Sequence, residues 1–558
     1  MEKKKRLGDI LVDLGYIKEE DVQEAIKIQK LTGKRLGEIF VESGLITEEN
    51  LLNILEVQLG IPRIDLESIE VDMNAVSTIG EALARRYTLI PICFSKGKLT
   101  VAMADPLNIF AEEDVSLSSG YELNIGIASK DEIITAISKY YSREYMDKAA
   151  KEMKTAEENK KNEQSSIIKD ENNSPAVKLI DSIIENAVRN KVSDIHIEPQ
   201  KDKVIIRYRI DGRLRKQFEA PKEPFNSMIT RIKILGGMDI SEKRLPQDGK
   251  IITNIEGKEI DLRLSILPSI TGENLVIRIL DKSAFSFSKE DLGFTKRGLE
   301  TVNKILEKPY GMLLVTGPTG SGKTSTLYSI LKDVNNEENN VITIEDPVEY
   351  SMDEIVQVNV NNKAGLTFAK GLRSILRQDP DVIMVGEIRD EETATMAIRA
   401  AITGHSVLST LHTNDAPSAI IRLLDMNIPS YLIASSLTGV IAQRLVRTLC
   451  PSCKEEYSAS RTDIEALRIK ESKGLKLYRP VGCPKCNGVG YKGRKAIFEI
   501  MDITDNIRDM ISNKNSIIDI RKEAKNSGMD TLFESAKEDV LKGITSVEEL
   551  MRVTLIKE

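Results

Sequence analysis

The chain has 558 residues, 41% apolar and 30% charged, with a formal net charge of -7. That length exceeds what one hydrophobic core supports, so several domains are expected. The composition is that of an ordinary soluble globular protein, and the acidic balance argues against a general nucleic-acid binder, leaving only a local basic channel open.

The opening segment, Met1–Ile10, lacks the apolar core of a signal peptide. No run of about 18 apolar residues occurs, so no transmembrane helix is expected. The chain is therefore expected in the cytosol, with membrane contact through a partner. Residues 1–60 contain an internal repeat. Arg6-Leu7-Gly8-Asp9-Ile10, then Gly15-Tyr16-Ile17, then Gln29 recur at one constant offset as Arg35-Leu36-Gly37-Glu38-Ile39, Gly44-Leu45-Ile46 and Gln58. Within each copy, Val22, Ala25 and Ile26, or Leu51, Leu52 and Leu55, are spaced as on an amphipathic helix. Thr47-Glu48-Glu49-Asn50 reads as a helix start.

Residues 61–142 read as a small α/β unit. Pro91–Phe94 and Lys98–Ala104 are predicted strands joined at Lys96-Gly97, and Asp131–Tyr140 is a predicted helix. Residues 143–172 are dominated by Lys, Glu, Asn and Ser. They hold too few apolar residues to offset ordering entropy, so a flexible linker is expected, its first part extending the preceding helix as the alternative. A second α/β domain is expected over 173–293, with a helix at Ser174–Asn190 and strands at Val204–Ile210, Lys258–Ile266 and Asn274–Leu280. The last domain, 294–558, alternates strands (Met312–Thr316, Val341–Glu345, Val382–Glu387, Ser406–Thr410) with helical patterns, which implies a largely parallel sheet.

Within that domain, Gly317-Pro318-Thr319-Gly320-Ser321-Gly322-Lys323-Thr324 fits GxxxxGK[ST], follows an apolar strand and opens a helix at Ser325. Its glycines let backbone N–H groups wrap phosphates, and the helix N-terminus adds partial positive charge. Lys323 is expected to reach the β- and γ-phosphates and the Thr324 hydroxyl to hold Mg²⁺. Mg²⁺ and an attacking water need further carboxylates. Val382–Val385 leads into Gly386-Glu387, where Gly386 stands in the place of the usual Asp and Glu387 follows as the acid. Glu345-Asp346-Pro347-Val348-Glu349 closes another apolar strand. Three acids together call for a cationic partner, the alternative being a helix cap or a solvated turn. His405 and His412 bracket one strand and read either as phosphate sensors or as packed, hydrogen-bonded side chains.

Four of the five cysteines form two CxxC pairs, Cys450/Cys453 and Cys483/Cys486. That spacing suits a closed, structural tetrahedral Zn²⁺ site in a glycine-rich knuckle.

Gly317–Thr324, Ile344–Tyr350, Leu372–Asp390 and Thr403–Asp415 together resemble the Walker A, Asp box, Walker B and His box of secretion ATPases. The resemblance extends over essentially the whole chain, and PilB-type pilus-extension and GspE-type secretion members are the most similar. That family also writes its Walker B as Gly-Glu. The resemblance implies a multidomain α/β protein. It would comprise a helical MshEN-like N-terminus (1–60), a small α/β part (61–142), a linker (143–172), a PAS-like domain (173–293) and a RecA-like P-loop ATPase domain (294–558) with a zinc-binding module at 450–486. It implies a homo-hexamer in the cytoplasm, at the inner face of the cytoplasmic membrane. There ATP hydrolysis would act on a membrane platform protein that adds pilin to the fibre, together with cytoplasmic assembly proteins and without a nucleic-acid polymer. A type II secretion motor is the alternative, and a nucleotide-gated scaffold is a more distant one.

Carried over, Gly317–Ser325 bind the nucleotide, Lys323 and Thr324 hold phosphate and Mg²⁺, Glu387 is the Walker B acid, and Glu349, ahead of Glu345, polarises the attacking water. His405 and His412 are His-box residues. Arg263 and Arg278, with Arg207 and Arg209 as rivals, would supply the cation that offsets transition-state charge, an ordinary surface ion pair being the alternative. The zinc module occurs in the longer extension ATPases and not in the retraction (PilT-type) ones. The tandem motif resembles the MshEN domain, which binds cyclic di-GMP. The resemblance assigns that ligand to Arg6, Leu7, Gly8, Gln29, Arg35, Leu36, Gly37 and Gln58. Two plain helical hairpins that dock an assembly protein are the alternative.

Overall fold

In the computed structural model the described residues are 7–32, 36–66, 69, 71–130, 132–137, 140–141, 175–222, 225–255, 257–281, 288–289, 291–470 and 474–554. The expected linker lies outside them. The chain divides into two compact units, 1–255 with 262–279, and 256–261 with 280–558. Among the described residues no helix is long and apolar enough to cross a membrane.

The first unit opens with α1 (Leu7–Asp13), α2 (Glu19–Thr32), α3 (Leu36–Glu42) and α4 (Glu48–Leu59). The sequence repeat is a structural one. Leu11 and Phe40, Ile17 and Ile46, and Ala25 and Ile54 are equivalent positions, and all six are buried in one core. Thr47 caps α4, its hydroxyl accepting the Asn50 N–H at 3.2 Å. A Cβ on Gly8 would approach Val22 to 3.0 Å, and one on Gly37 would approach Leu51 to 3.1 Å. The glycine of each copy therefore has a packing reason: it lets the first helix lie close against the second. Gly8 and Gly37 thus have a packing role that does not depend on a ligand.

Next come α5 (Met73–Val76), α6 (Glu81–Tyr87), β1 (Leu89–Ser95), β2 (Lys98–Met103), α7 (Ile109–Ser119) and β3 (Leu123–Ile127). β1 runs antiparallel to β2, and β2 parallel to β3. Residues 132–137 and 140–141 are helical, in line with the predicted helix there. The following lobe contains α8 (Pro175–Arg189), β4 (Asp194–Pro199), β5 (Lys203–Ile210), β6 (Arg213–Pro221), α9 (Phe225–Leu235), β7 (Gln247–Ile255), β8 (Lys258–Ser269) and β9 (Gly272–Asp281). Its sheet order is β6-β5-β4-β9-β8-β7. Alternation along β5 sets its faces: Val204, Ile206 and Tyr208 are buried, while Arg207 and Arg209, on the other face, stay partly exposed.

The second unit contains α10 (Lys296–Leu306), β10 (Gly311–Thr316), α11 (Lys323–Val334), β11 (Val341–Glu345), β12 (Val356–Asn359), α12 (Phe368–Ile375), β13 (Val382–Val385), α13 (Glu391–Ile402), β14 (Ser406–Leu411), α14 (Ser418–Asp425), α15 (Ser430–Ser436) and β15 (Leu437–Leu449). It ends with β16 (Glu455–Ser458), α16 (Arg461–Ala466), β17 (Lys476–Arg479), β18 (Tyr491–Asp502), α17 (Asp505–Ser512), α18 (Ile517–Asn526), α19 (Leu532–Leu541) and α20 (Val547–Thr554). The main sheet has the order β12-β11-β13-β14-β10-β15-β18. Every pair is parallel except β15 with β18. β10, β13 and β14 are buried almost throughout, as strands covered by helices on both sides must be. The carboxyl ends of β10, β11, β13 and β14 therefore share one edge of the sheet, where ligands of such folds sit. At the far end of β15, the buried Arg447 donates three hydrogen bonds to the fully buried Glu549 of α20, at 3.0, 3.1 and 2.7 Å, and lies over the Tyr491 ring.

Candidate functional site

The phosphate loop leaves β10 at Gly317 and returns as α11 at Lys323, with Gly322 left-handed (φ 87°) at the helix start. The buried Gln443 of β15 lies directly beneath it. A Cβ on Gly317 would come within 2.4 Å of the Gln443 carbonyl oxygen, and one on Gly322 within 2.8 Å of Gln443 Nε2. Thr326 Oγ1 donates to Gln443 Oε1 at 2.7 Å, fixing α11 to the same residue. Lys323 Nζ donates to the carbonyls of Gly317 (2.8 Å) and Pro318 (3.2 Å) across the loop. Burial pulls its pKa down, and the Glu387 charge opposes this. The buried Ser321 hydroxyl has no protein partner among the described residues. Thr319, Gly320, Ser321, Gly322, Lys323 and Thr324 line a cleft, while Gly317, Pro318 and Ser325 stand outside its wall.

Across that cleft stand Glu345, Asp346, Glu349, Glu387 and His412. Gly386 donates its N–H to Ile344 O (2.8 Å) and accepts at its carbonyl from Thr410 Oγ1 (2.8 Å), so the end of β13 is pinned to both neighbouring strands. The Glu387 carboxylate meets Arg389 Nη2 at 2.5 Å and His412 Nε2 at 3.5 Å. The two histidines do not share the site. His405 lies at the opposite end of β14, its ring Nδ1 3.0 Å from the Ala400 carbonyl at the end of α13. Only His412 faces the cleft.

Of the three acids at the end of β11, Glu345 departs from the sequence expectation of a cationic partner. Glu345 is buried and takes neutral donors: Tyr328 Oη at 2.6 Å, Thr343 Oγ1 at 2.6 Å and Gln357 Nε2 at 3.4 Å. Burial pushes its carboxyl pKa up, and those three hydrogen bonds work against that shift. With its oxygens occupied by donors, Glu345 is poorly placed to take a proton from water. Glu349, four residues on, lines the cleft.

Arg263 on β8 and Arg278 on β9 sit on adjacent strands of the first unit. Arg278 Nε donates to Asp194 at 3.0 Å, Arg209 approaches the same carboxylate at 3.4 Å, and Arg207 pairs with Glu198. Among the repeat residues, Leu7, Gly8, Gln29, Leu36, Gly37 and Gln58 are described, whereas Arg6 and Arg35 lie outside the described residues.

The cysteine pairs converge. All four Sγ atoms lie within 4.8 Å of one another, with Cys450–Cys483 at 3.9 Å and both Cys453–Cys486 and Cys483–Cys486 at 3.7 Å. A tetrahedron with Zn–S bonds of about 2.3 Å has edges of about 3.8 Å, so the thiolates fit that ion. The N–H groups of Cys483 and Gly490 also donate to Cys486 Sγ, at 3.2 and 3.1 Å. The antiparallel β16–β17 pair and the intervening α16 lie in the interval between the pairs.

Sequence reasoning missed Gln443, Tyr328, Gln357 and Arg389. Arg389 could have been found, since it follows Glu387 by one turn residue. The others carry no local signal, because their partners are remote in the chain.

The type II/IV secretion system protein family model matches residues 169–552, and the MshEN domain model matches residues 59–145. The second match covers the small α/β part and adjoins the helical repeat. The type IV pilus assembly ATPase PilB of Myxococcus xanthus is 39% identical over 558 residues, covering 98% of both chains. Type II secretion system protein E of Xanthomonas campestris is 37% identical over 562 residues, again covering 98% of both. The ATPase DotB of Legionella pneumophila shares the fold at 21% identity and a TM-score of 0.50, covering 67% of this chain and 95% of that one.

Proposed function

The chain belongs to the type II/IV secretion system protein family, and from that premise we propose that it hydrolyses ATP to drive type IV pilus assembly. The observation that carries this reading is the cleft that puts Lys323 and Thr324 opposite Glu349, Glu387 and His412.

In this reading, loop N–H groups and Lys323 grip the β- and γ-phosphates. Thr324 and Glu387 would hold Mg²⁺, which supplies charge neutralisation at the phosphate oxygens. The orphaned Ser321 hydroxyl and the unusually close Gly317 and Gly322 backbone fit a loop shaped around phosphate. Glu349 polarises the attacking water, and His412 reads the γ-phosphate through Glu387. Arg263 and Arg278 act from the lobe before the ATPase domain, offsetting charge in the transition state. The four cysteines hold a structural Zn²⁺. The tandem helices, with Arg6 and Arg35, bind cyclic di-GMP as a regulatory ligand: arginine stacks on guanine or pairs with phosphate. The working form is a homo-hexamer at the cytoplasmic face of the inner membrane, acting on a platform protein and cytoplasmic assembly proteins.

A type II secretion motor is the second reading, favoured by the full-length match to the Xanthomonas protein. The pilus reading draws on the Myxococcus match and on the tandem repeat. The test is complementation of a strain lacking this chain. The native chain restores surface pili, and Lys323→Ala, at equal abundance, restores none. Purified Lys323→Ala falls at least about 100-fold in ATP turnover, as loss of a phosphate-stabilising group does. Intact pili with lost exoprotein secretion in the deletion strain would favour the second reading.

A further inference from the structure

We propose that Tyr328 is a positioning residue that sets the place of Glu349, tying the water-polarising acid to the helix that grips the phosphates. The inference rests on the reading of Glu349 given above.

Tyr328 lies on α11, five residues beyond Lys323, and its ring is buried. Its hydroxyl works in two directions. It donates to Glu345 Oε2 at 2.6 Å and accepts the backbone N–H of Glu349 at 3.3 Å. Glu345 is the buried carboxylate that Thr343 and Gln357 also hold. Gln357, on β12, then reaches the same loop from the other side. Its Nε2 donates to the Tyr350 carbonyl at 2.8 Å, and its Oε1 accepts the Met352 N–H at 2.8 Å. The backbone that carries Glu349 is therefore suspended between α11 and β12, with Glu345 as the shared acceptor.

This gives Glu345 and Tyr328 a use that direct chemistry does not. With its oxygens taken by Tyr328, Thr343 and Gln357, Glu345 keeps the Tyr328 hydroxyl oriented so that one lone pair faces the Glu349 N–H. Any displacement of α11 moves the donor to Glu345 and the acceptor for Glu349 together. A water-polarising carboxylate misplaced by about 1 Å loses much of its effect, so such a tether bears on turnover more than on nucleotide affinity.

The test compares Tyr328→Phe, Glu349→Gln and the double variant in the full-length protein. It reads kcat, KM and the affinity for a fluorescent ATP analogue. Loss of a hydrogen bond of this kind lowers kcat roughly tenfold. KM and analogue affinity stay within about twofold, because the interaction matters only where water is polarised. In the Glu349→Gln background the tyrosine change adds nothing, since its effect runs through the missing carboxylate. Native turnover by Tyr328→Phe, or losses that multiply in the double variant, overturns the proposal while leaving Glu349 in its role. Native turnover by Glu349→Gln overturns the role itself and the proposal with it. If Tyr328→Phe does not assemble, Glu345→Gln carries the same comparison. Its amide turns an NH₂ toward either Tyr328 or Thr343, both donors, so the same kcat-selective loss is expected.

Discussion

At Gly386 the end of β13 passes so near β11 that an added Cβ would lie 3.3 Å from both the Glu345 Cα and the Ile344 carbonyl oxygen. A side chain there would need these neighbours to give, whereas Glu387, one residue later, lines the cleft. The pattern of apolar strand, Gly386 and Glu387 was legible in the sequence, but the close approach was not, because it depends on strand spacing. The same holds for Glu345 and Glu349. They look alike along the chain, and only burial against Tyr328, Thr343 and Gln357 separates them. Gly386→Asp is expected to displace β11 and cut ATP turnover at least about tenfold while the protein still binds nucleotide, since strain at a packed contact of this kind costs about 1–3 kcal/mol. Steady-state turnover beside analogue binding checks it. Arg389, which pairs with Glu387, is two-thirds exposed, so that pair contributes little to stability.

Individual elements followed the sequence closely where periodicity was strong. The tandem helices obey one offset, and their core residues obey it too, which made both copies readable. Four of the seven strands of the ATPase sheet, β10, β11, β13 and β14, were read from the sequence, and their limits moved by no more than two residues; β12, β15 and β18 were not read. The cysteine module was read from spacing alone, and the sulfurs meet as that spacing requires. Its internal strand pair was not read, since β16 and β17 are four-residue strands in polar sequence. Cys453→Ser removes one of the four thiolates that would hold zinc. Metal analysis of the full-length protein should then give well under one zinc per chain where the native protein gives one. The melting transition should fall as well, because structural metal binding contributes directly to folding. The remaining fold around Arg447 and Glu549 keeps its own hydrogen bonds.

Across the whole chain, domain order was legible and domain roles only partly so. The phosphate loop identified its own domain, because strand, loop and helix follow in the required order. The lobe before it showed strands but no chemistry of its own. Arg207 pairs with Glu198, and Arg209 and Arg278 with Asp194, and nothing in the sequence separates such pairs from groups that serve a neighbouring protomer. The N-terminal repeat is the sharpest open choice, since Gly8 and Gly37 are already accounted for by helix packing. Isothermal titration of the full-length protein with cyclic di-GMP should show one ligand per chain, and Arg6→Ala with Arg35→Ala should abolish it. Native affinity in that double variant would leave the repeat as a plain docking hairpin.

β15 bears on two distant places at once. Gln443 supports the phosphate loop, Arg447 reaches Glu549, and the strand hands the chain straight to Cys450. Successive side chains on a strand point to opposite faces, so one residue inserted between Gln443 and Arg447 would turn Arg447 away from α20 and shift the start of the cysteine module by one position. The stretch thus works as a ruler of fixed length, and lineages that keep both ends should vary in its letters but never in their number.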